Sequence, residues 1–327
     1  MSDMNNVSES KRAVALPSWL LQGVTISYIL LIVLFALAAA INPHYASWGN
    51  IRNLLQIGAF IGVIAVGQTL VIITGQIDLS VPWNLTFSAI LMATLISHGY
   101  STPVAIAAAL ASGTLVGMFN SIGTAIFRIH SLVWTLGTNA LMQGATLVYT
   151  HAQPPKVDVP PFIRALGAGN LWGIPVPLMV WIVAAIFALV ILHQTRFGRY
   201  LYAIGNNESA LFLSGVDSRK VYLGAYAISG FCAALAGIML AGYSSQTYLG
   251  MGSDYLLVPV AAVIIGGTNI MGGSGGYLGS ISGAMIVVLL QSVLSTVQIQ
   301  EAGKNIIFGS IIILLLLLYG REKLSTH

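Results

Sequence analysis

Residues 74 to 83 read TGQIDLSVPW and hold the one carboxylate found between Glu9 and Asp158. An apolar run ending in LVIIT precedes them and a second, LTFSAILMATLI, follows. Asp78 is thus an ionisable group set at a break between two membrane-length segments, and such a group is a functional hypothesis by default. Asp78 and Ser80 come just before Pro82, whose fixed φ suits the first turn of a helix, so either side chain can cap the helix that follows. Polar groups at a helix break, here Gln76, Asp78 and Ser80, can also line a passage. The two roles are compatible.

Other polar side chains are carried on apolar segments. Asn120, Thr135, Asn139, Gln143 and Gln291 are candidates for the same passage, although a polar amide or hydroxyl in a bundle also serves as an interhelical hydrogen bond. Thr268 and Asn269 fall in a second break, IGGTNIMGGSGG. Enzymatic motifs do not stand up. Gly272, Ser274 and Gly276 spell G-x-S-x-G, but a nucleophile elbow needs a strand-turn-helix setting that a glycine turn between membrane segments does not offer. The six histidines, His98, His130 and His193 among them, show no paired-ligand spacing. The lone Cys232 forms neither an intrachain disulfide nor a cysteine metal site. The one Gly-Lys pair, Gly303-Lys304, is followed by Asn305, so the chain has no P-loop with which to hydrolyse ATP.

The elements that position these residues follow from composition. Of 327 residues, 57% are hydrophobic and 7% charged, and the mean hydropathy is +0.87. This is an all-α polytopic membrane protein, with 35 glycines that allow close helix packing. The net charge of +4 comes from sparse basic residues and reports topology, not nucleic-acid binding. Windows of about twenty apolar residues predict ten transmembrane helices near 19–41, 54–74, 82–98, 103–127, 131–149, 174–194, 221–243, 255–271, 275–296 and 304–320. The short, Pro259-containing 255–271 segment is expected to be re-entrant or broken. Lys11, Arg12, Arg128, Arg196, Arg199, Arg219, Lys220, Arg321 and Lys323 share one side, which the positive-inside rule makes cytoplasmic. Both tails, 1–18 and 321–327, are then cytoplasmic and flank a membrane domain over 19–320. The Pro- and Gly-rich 150–173 loop lies outside. Small-xxx-small faces occur at Gly58 and Gly62, at Gly113 and Gly117, and at Gly275, Gly279 and Gly283.

The one substantial polar stretch on the cytoplasmic face is the 196–220 loop, RFGRYLYAIGNNESALFLSGVDSRK. Asn206 or Asn207 can cap a short helix there, Glu208 suits its first turn, and Gly215 can end it. The helix carries Ala210, Leu211, Phe212 and Leu213, and its exposed apolar residues need a covering surface, either lipid or a protein partner.

This loop resembles the coupling loop of bacterial ABC-importer permeases for monosaccharides of the ribose, xylose, arabinose and galactose type, through Thr195, Phe197, Gly198, Arg199, Ala203, Ile204, Gly205, Asn207, Ala210, Ser214 and Gly215. GQTLVIITGQIDLSV at 67–81 and AAVIIGGTNIMGGSGGYLGSISGAMI at 261–286 are similar to two further blocks of that family, in the same order. Gln76 and Pro82 stand where the family usually has glycine, and YLLVPV lacks an acidic residue that many members carry, Asp254 being the nearest carboxylate. The resemblance implies an inner-membrane permease paired with a cytoplasmic ATPase, which would bind ATP and Mg, with a periplasmic sugar-binding protein and with a second permease, identical or paralogous. The chain itself would carry no cofactor and no catalytic residue. The coupling residues would be Asn207, Glu208, Ala210, Leu211, Phe212 and Gly215. The passage, where side chains hydrogen-bond sugar hydroxyls, would draw on Gln76, Asp78, Ser80, Asn120, Thr135, Asn139, Thr268 and Asn269. The rival expectation is an ion-coupled secondary transporter with Asp78 as its ion site. A nucleoside or branched-chain amino acid is an alternative solute.

Overall fold

The computed structural model describes residues 23–300 and, within 302–313, all but 305, 308 and 312. The predicted tails and most of the predicted 304–320 span lie outside the described residues. Among the described residues six helices are long and apolar enough to cross a membrane: α1 (Gly23–Ile41), α2 (Trp48–Ile73), α4 (Thr102–Ser121, continued by a π-helical turn Ile122–Ile126), α7 (Val176–Gln194), α9 (Ser218–Ser244) and α11 (Tyr277–Thr296). Two shorter apolar helices, α3 (Val81–Ser97) and α10 (Val258–Ile265), join them, as does α5 (Ser131–Tyr149). The first nine expected spans recur as helices within a few residues over the described residues, except that α2 begins at Trp48 rather than 54 and the 255–271 segment shrinks to the eight residues of α10. Eight residues rise only about 12 Å, so α10 is the broken element that Pro259 and the glycines announced. The 150–173 loop contains α6 (Pro161–Ala168) and leads into a minimal hairpin, β1 (Asn170–Leu171) against β2 (Ile174–Pro175), which the sequence did not signal. The 196–220 loop supplies α8 (Arg196–Leu213).

Helix starts have visible local causes. Ser47 accepts the Asn50 amide to begin α2, and Asp217 accepts the Arg219 amide to begin α9. Proline stands in the first turn of α3, α4, α6, α7 and α10, where its missing N–H leaves no extra orphan. Pro82 and Pro259 thereby mark the helices that follow irregular backbone.

The core is organised on α2, buried along nearly all of its spanning window, and on α9, which packs along α2, α3, α4 and α6. Contact between α4 and α9 is backbone against backbone. A Cβ on Gly117 would lie 2.0 Å from the Tyr226 carbonyl oxygen, and one on Gly230 would lie 2.1 Å from that of Gly113. Asn84 of α3 uses this closeness, donating to the Gly113 carbonyl at 3.2 Å. The expected small-residue face at Gly113 and Gly117 is therefore an intramolecular α4–α9 seam. The face at Gly58 and Gly62 seats Trp181 of α7, whose indole donates to the Tyr277 hydroxyl (2.7 Å), which in turn donates to the Gly62 carbonyl (2.7 Å).

Candidate functional site

Between α2 and α3 the chain doubles back. After Ile73 it turns at Gly75 (φ +79°) and runs without regular secondary structure through residues 76–80 along the last turns of α2, where the Gln68 side chain donates to the Asp78 carbonyl. Irregular backbone inside a bundle must find partners for its amides, because no water competes there. One face of α5 supplies them. Ser131 Oγ accepts the Ile77 amide (3.2 Å), Thr135 Oγ1 accepts the Leu79 amide (3.0 Å), and Asn139 Oδ1 accepts the Trp83 amide (3.2 Å). The four-residue spacing of Ser131, Thr135 and Asn139 places all three on one helix face.

Asp78 points away from α5 and is buried, at 1% exposure. Its Oδ1 accepts the Ser80 amide (3.0 Å), the Ser80 hydroxyl (2.6 Å) and Asn120 Nδ2 (3.2 Å), while its Oδ2 accepts the Ser229 hydroxyl (2.7 Å). Asn120 Nδ2 also donates to Ser80 Oγ at 2.7 Å. All four donors are neutral. The carboxylate thus joins the break to α4 through Asn120 and to α9 through Ser229, the latter about three turns inside α9. Ser80, at the cap position of α3, makes no side-chain cap bond; the Asp78 carboxylate holds the Ser80 amide instead. Gln68 Oε1, Asn120 Oδ1 and the Tyr226 hydroxyl are buried with no protein hydrogen-bond partner.

The predicted passage residues separate into two groups. Asp78, Ser80, Asn120, Thr135 and Asn139 converge on the first break, whereas Thr268 and Asn269 shape the second. There Thr268 Oγ1 accepts the Gly276 amide (3.3 Å), and Asn269 Oδ1 accepts the Met271 amide (2.9 Å). The two breaks abut: the Gly273 amide donates to the Ile73 carbonyl at 2.9 Å, and a Cβ on Gly272 would meet the Gly75 nitrogen at 2.6 Å. Gln76 is half-buried and lines a cavity shared with Arg128, Glu208 and Tyr222. Ser131, Ser229 and Gln68 were not singled out in the sequence. Ser131 is legible as the first step of the stripe that Thr135 and Asn139 continue, but nothing in the sequence marks Gln68 or Ser229.

Between α7 and α9, α8 kinks at Asn207 (φ −162°, ψ 100°), which splits off a helix over 208–213. Asn207 Oδ1 accepts the Ala210 amide (3.1 Å), and Gly215 (φ +80°) follows the last turn, as the capping pattern predicts. Leu211, expected among the exposed apolar residues, packs inward, while Phe212 is 69% and Leu213 85% exposed. The first half of α8 is fastened to the second break. Asn206 Nδ2 donates to the Gly273 carbonyl (3.1 Å), and the Tyr202 hydroxyl donates to that of Gly275 (2.9 Å). Burial raises the Tyr202 pKa, which keeps the phenol protonated as a donor.

Residues 50–316 match the family described as branched-chain amino acid transport system / permease component. The chain belongs to this permease family. It is 37% identical to the ribose import permease protein of Haemophilus influenzae over 280 residues, 84% of this chain and 86% of that one. It is 34% identical to the ribose import permease protein of Bacillus subtilis over 294 residues, 90% and 91% of the two chains. An autoinducer 2 import system permease protein of Escherichia coli is 31% identical over 292 residues, 89% of this chain and 85% of that one. No solved structure matches. The permease is thus a multi-pass membrane component of an import system, the class that the three motifs imply.

Proposed function

We propose that this permease is the membrane subunit of an ATP-driven importer and that it carries a monosaccharide. The single observation that carries the proposal is the helix over 208–213, separately capped by Asn207, which presents Phe212 and Leu213 outward while the preceding half of α8 is bonded to the second break, itself bonded to the end of α2 at the first. A short apolar helix of this kind suits a groove on a cytoplasmic ATPase. ATP and Mg would be bound there, with no chemistry performed by this chain, and the chain would act beside a second permease subunit and a periplasmic binding protein. Ten crossings with both termini cytoplasmic fit the distribution of Arg and Lys.

The ribose relatives favour a sugar over the branched-chain amino acid of the family description, because their identity extends over most of both chains. Spare acceptors at Gln68 Oε1 and Asn120 Oδ1, close to Asp78, are of the kind a polyhydroxylated solute would use. Movement of the 208–213 helix on ATP binding would rock the bundle between its two access states. Reconstitution tests the proposal: proteoliposomes holding the permease with its ATPase and binding protein should accumulate ribose only with ATP inside the ATPase compartment. Accumulation by the permease alone, driven by a proton or sodium gradient, would overturn it in favour of the ion-coupled reading of Asp78.

A further inference from the structure

A polar cavity of about 360 Å³ opens at the end of the bundle remote from α8. Its position follows from α2. Asn53 lines the cavity, whereas Ile73, twenty helical residues further on and about 30 Å away, is bonded to the second break and so lies beside α8. The walls grade from apolar to polar along each helix. On α2 Ile61 and Ile57 are followed outward by Asn53, and on α11 Val288 is followed by Gln291 and Ser292. Steps of three and four residues keep each set on one helix face. Val258, the first residue of α10, lines the cavity as well. Among the described residues the charged members of the lining are one of each sign, Asp254 and Lys304, and no hydrogen bond engages the side chains of Asn53, Gln291 or Ser292. The second break joins α10 to α11, so two of the walls run directly into the segment that α8 holds through Tyr202 and Asn206.

We propose that this cavity is a binding subsite for a neutral polyhydroxylated solute, at the end of the bundle where a periplasmic binding protein would release its cargo. A sugar ring has apolar C–H faces and a rim of hydroxyls that both donate and accept. The apolar inner residues suit the ring face, while two carboxamides and a serine hydroxyl offer donors and acceptors to the rim. One carboxylate and one ammonium leave the lining without a net charge with which to select an ion. The volume lies at the small end of ligand pockets, which run to about 300–1,000 Å³, and suits a single monosaccharide. Gln291, a passage candidate from the sequence, lines this subsite. Because α10 and α11 meet in the second break, a shift of α8 reaches the subsite walls without passing through Asp78. The assignment rests on the reading of the solute as a sugar.

The test uses the complete transporter in lipid nanodiscs, where both faces are open to reagents. Cys232 is the one cysteine of the chain and is buried, so Ser292→Cys adds an accessible thiol whose reaction with a hydrophilic maleimide is read on the permease band. Ribose should slow this labelling saturably, by about tenfold at about ten times its dissociation constant, and glycine betaine, which has no hydroxyl, should leave the rate unchanged. Gln291→Leu in the same background should abolish the protection. Should that variant not assemble, Asn53→Leu on the opposing wall is read in the same way. Absence of labelling, labelling that ribose leaves unchanged, equal slowing by glycine betaine, or protection that survives loss of the amide each overturns the subsite. Failure of the functional reading is separate: wild-type proteoliposomes would then show no ATP-dependent ribose uptake, whereas uptake without protection overturns the subsite alone.

Discussion

Replacing Asp78 separates a structural clamp from an ion site. Asp78→Ala removes the acceptor of the Ser80 amide, of the Ser80 hydroxyl and of the Ser229 hydroxyl, all buried. Asn120 keeps a partner, because its Nδ2 also reaches Ser80 Oγ at 2.7 Å. Each orphaned donor costs about 1–3 kcal/mol, so three predict a loss of about 3–9 kcal/mol. Asp78→Asn is different. Its Oδ1 can still accept from Ser80 and Asn120, and its Nδ2 faces a serine hydroxyl that can rotate to accept. The carboxylate has only neutral donors around it, so removing its charge also removes a desolvation cost, and the net change should be about 1 kcal/mol or less. Thermal unfolding of the detergent-purified permease followed by fluorescence-detected size exclusion, paired with uptake in the reconstituted complex, distinguishes the two. Equal destabilisation by Asn and Ala would refute the hydrogen-bond accounting. A stable Asp78→Asn that no longer transports would show that the charge itself is required, and the ion-coupled reading would replace the clamp.

Thr135→Val preserves volume but leaves the Leu79 amide without its acceptor, and should lower stability by about 1–3 kcal/mol; an unchanged unfolding midpoint would contradict the role given to α5. Gly117→Ala forces a Cβ against the Tyr226 carbonyl and should cost about 1–3 kcal/mol. In contrast, Gly144→Ala meets nothing within 4 Å and should be neutral or stabilising by up to about 1 kcal/mol; the same melting assay compares them. Phe212→Ala, at a 69% exposed side chain, should leave the melting midpoint unchanged while reducing co-purification of the ATPase, and retention of the ATPase at wild-type level would count against docking at this helix.

Much of this was legible in the sequence because membranes make the rules strict. Hydrophobic runs placed α1, α4, α5, α7, α9 and α11 to within a few residues, and Pro82 and Pro259 located the starts of α3 and α10. The Asn207 cap and the Gly215 stop followed from local capping chemistry, which depends on neighbours three residues apart. The internal side of the site was not legible in the same way. Gln68 and Ser229 are tied to Asp78 by a chain reversal and by a helix 151 residues away in sequence, and a serine or glutamine in an apolar run looks the same whether it faces a carboxylate or its own helix. Leu211 was misplaced for a related reason: on so short a helix one turn decides which leucine faces in, and the kink at Asn207 resets that phase.

The stripe on α5 has a geometric property of its own. Four residues of helix advance about 6.0 Å, and two residues of extended chain advance about 6.6 Å, so Ser131 and Thr135 meet alternate amides of the reversed segment like teeth of similar pitch. Sliding α5 by one tooth would hand the Ile77 amide to Thr135 and the Leu79 amide to Asn139, and would take from the Trp83 amide the Asn139 acceptor it now has. Two rungs of three survive such a slide, so the pitch match holds α5 in the observed register and makes the neighbouring one the next most favourable.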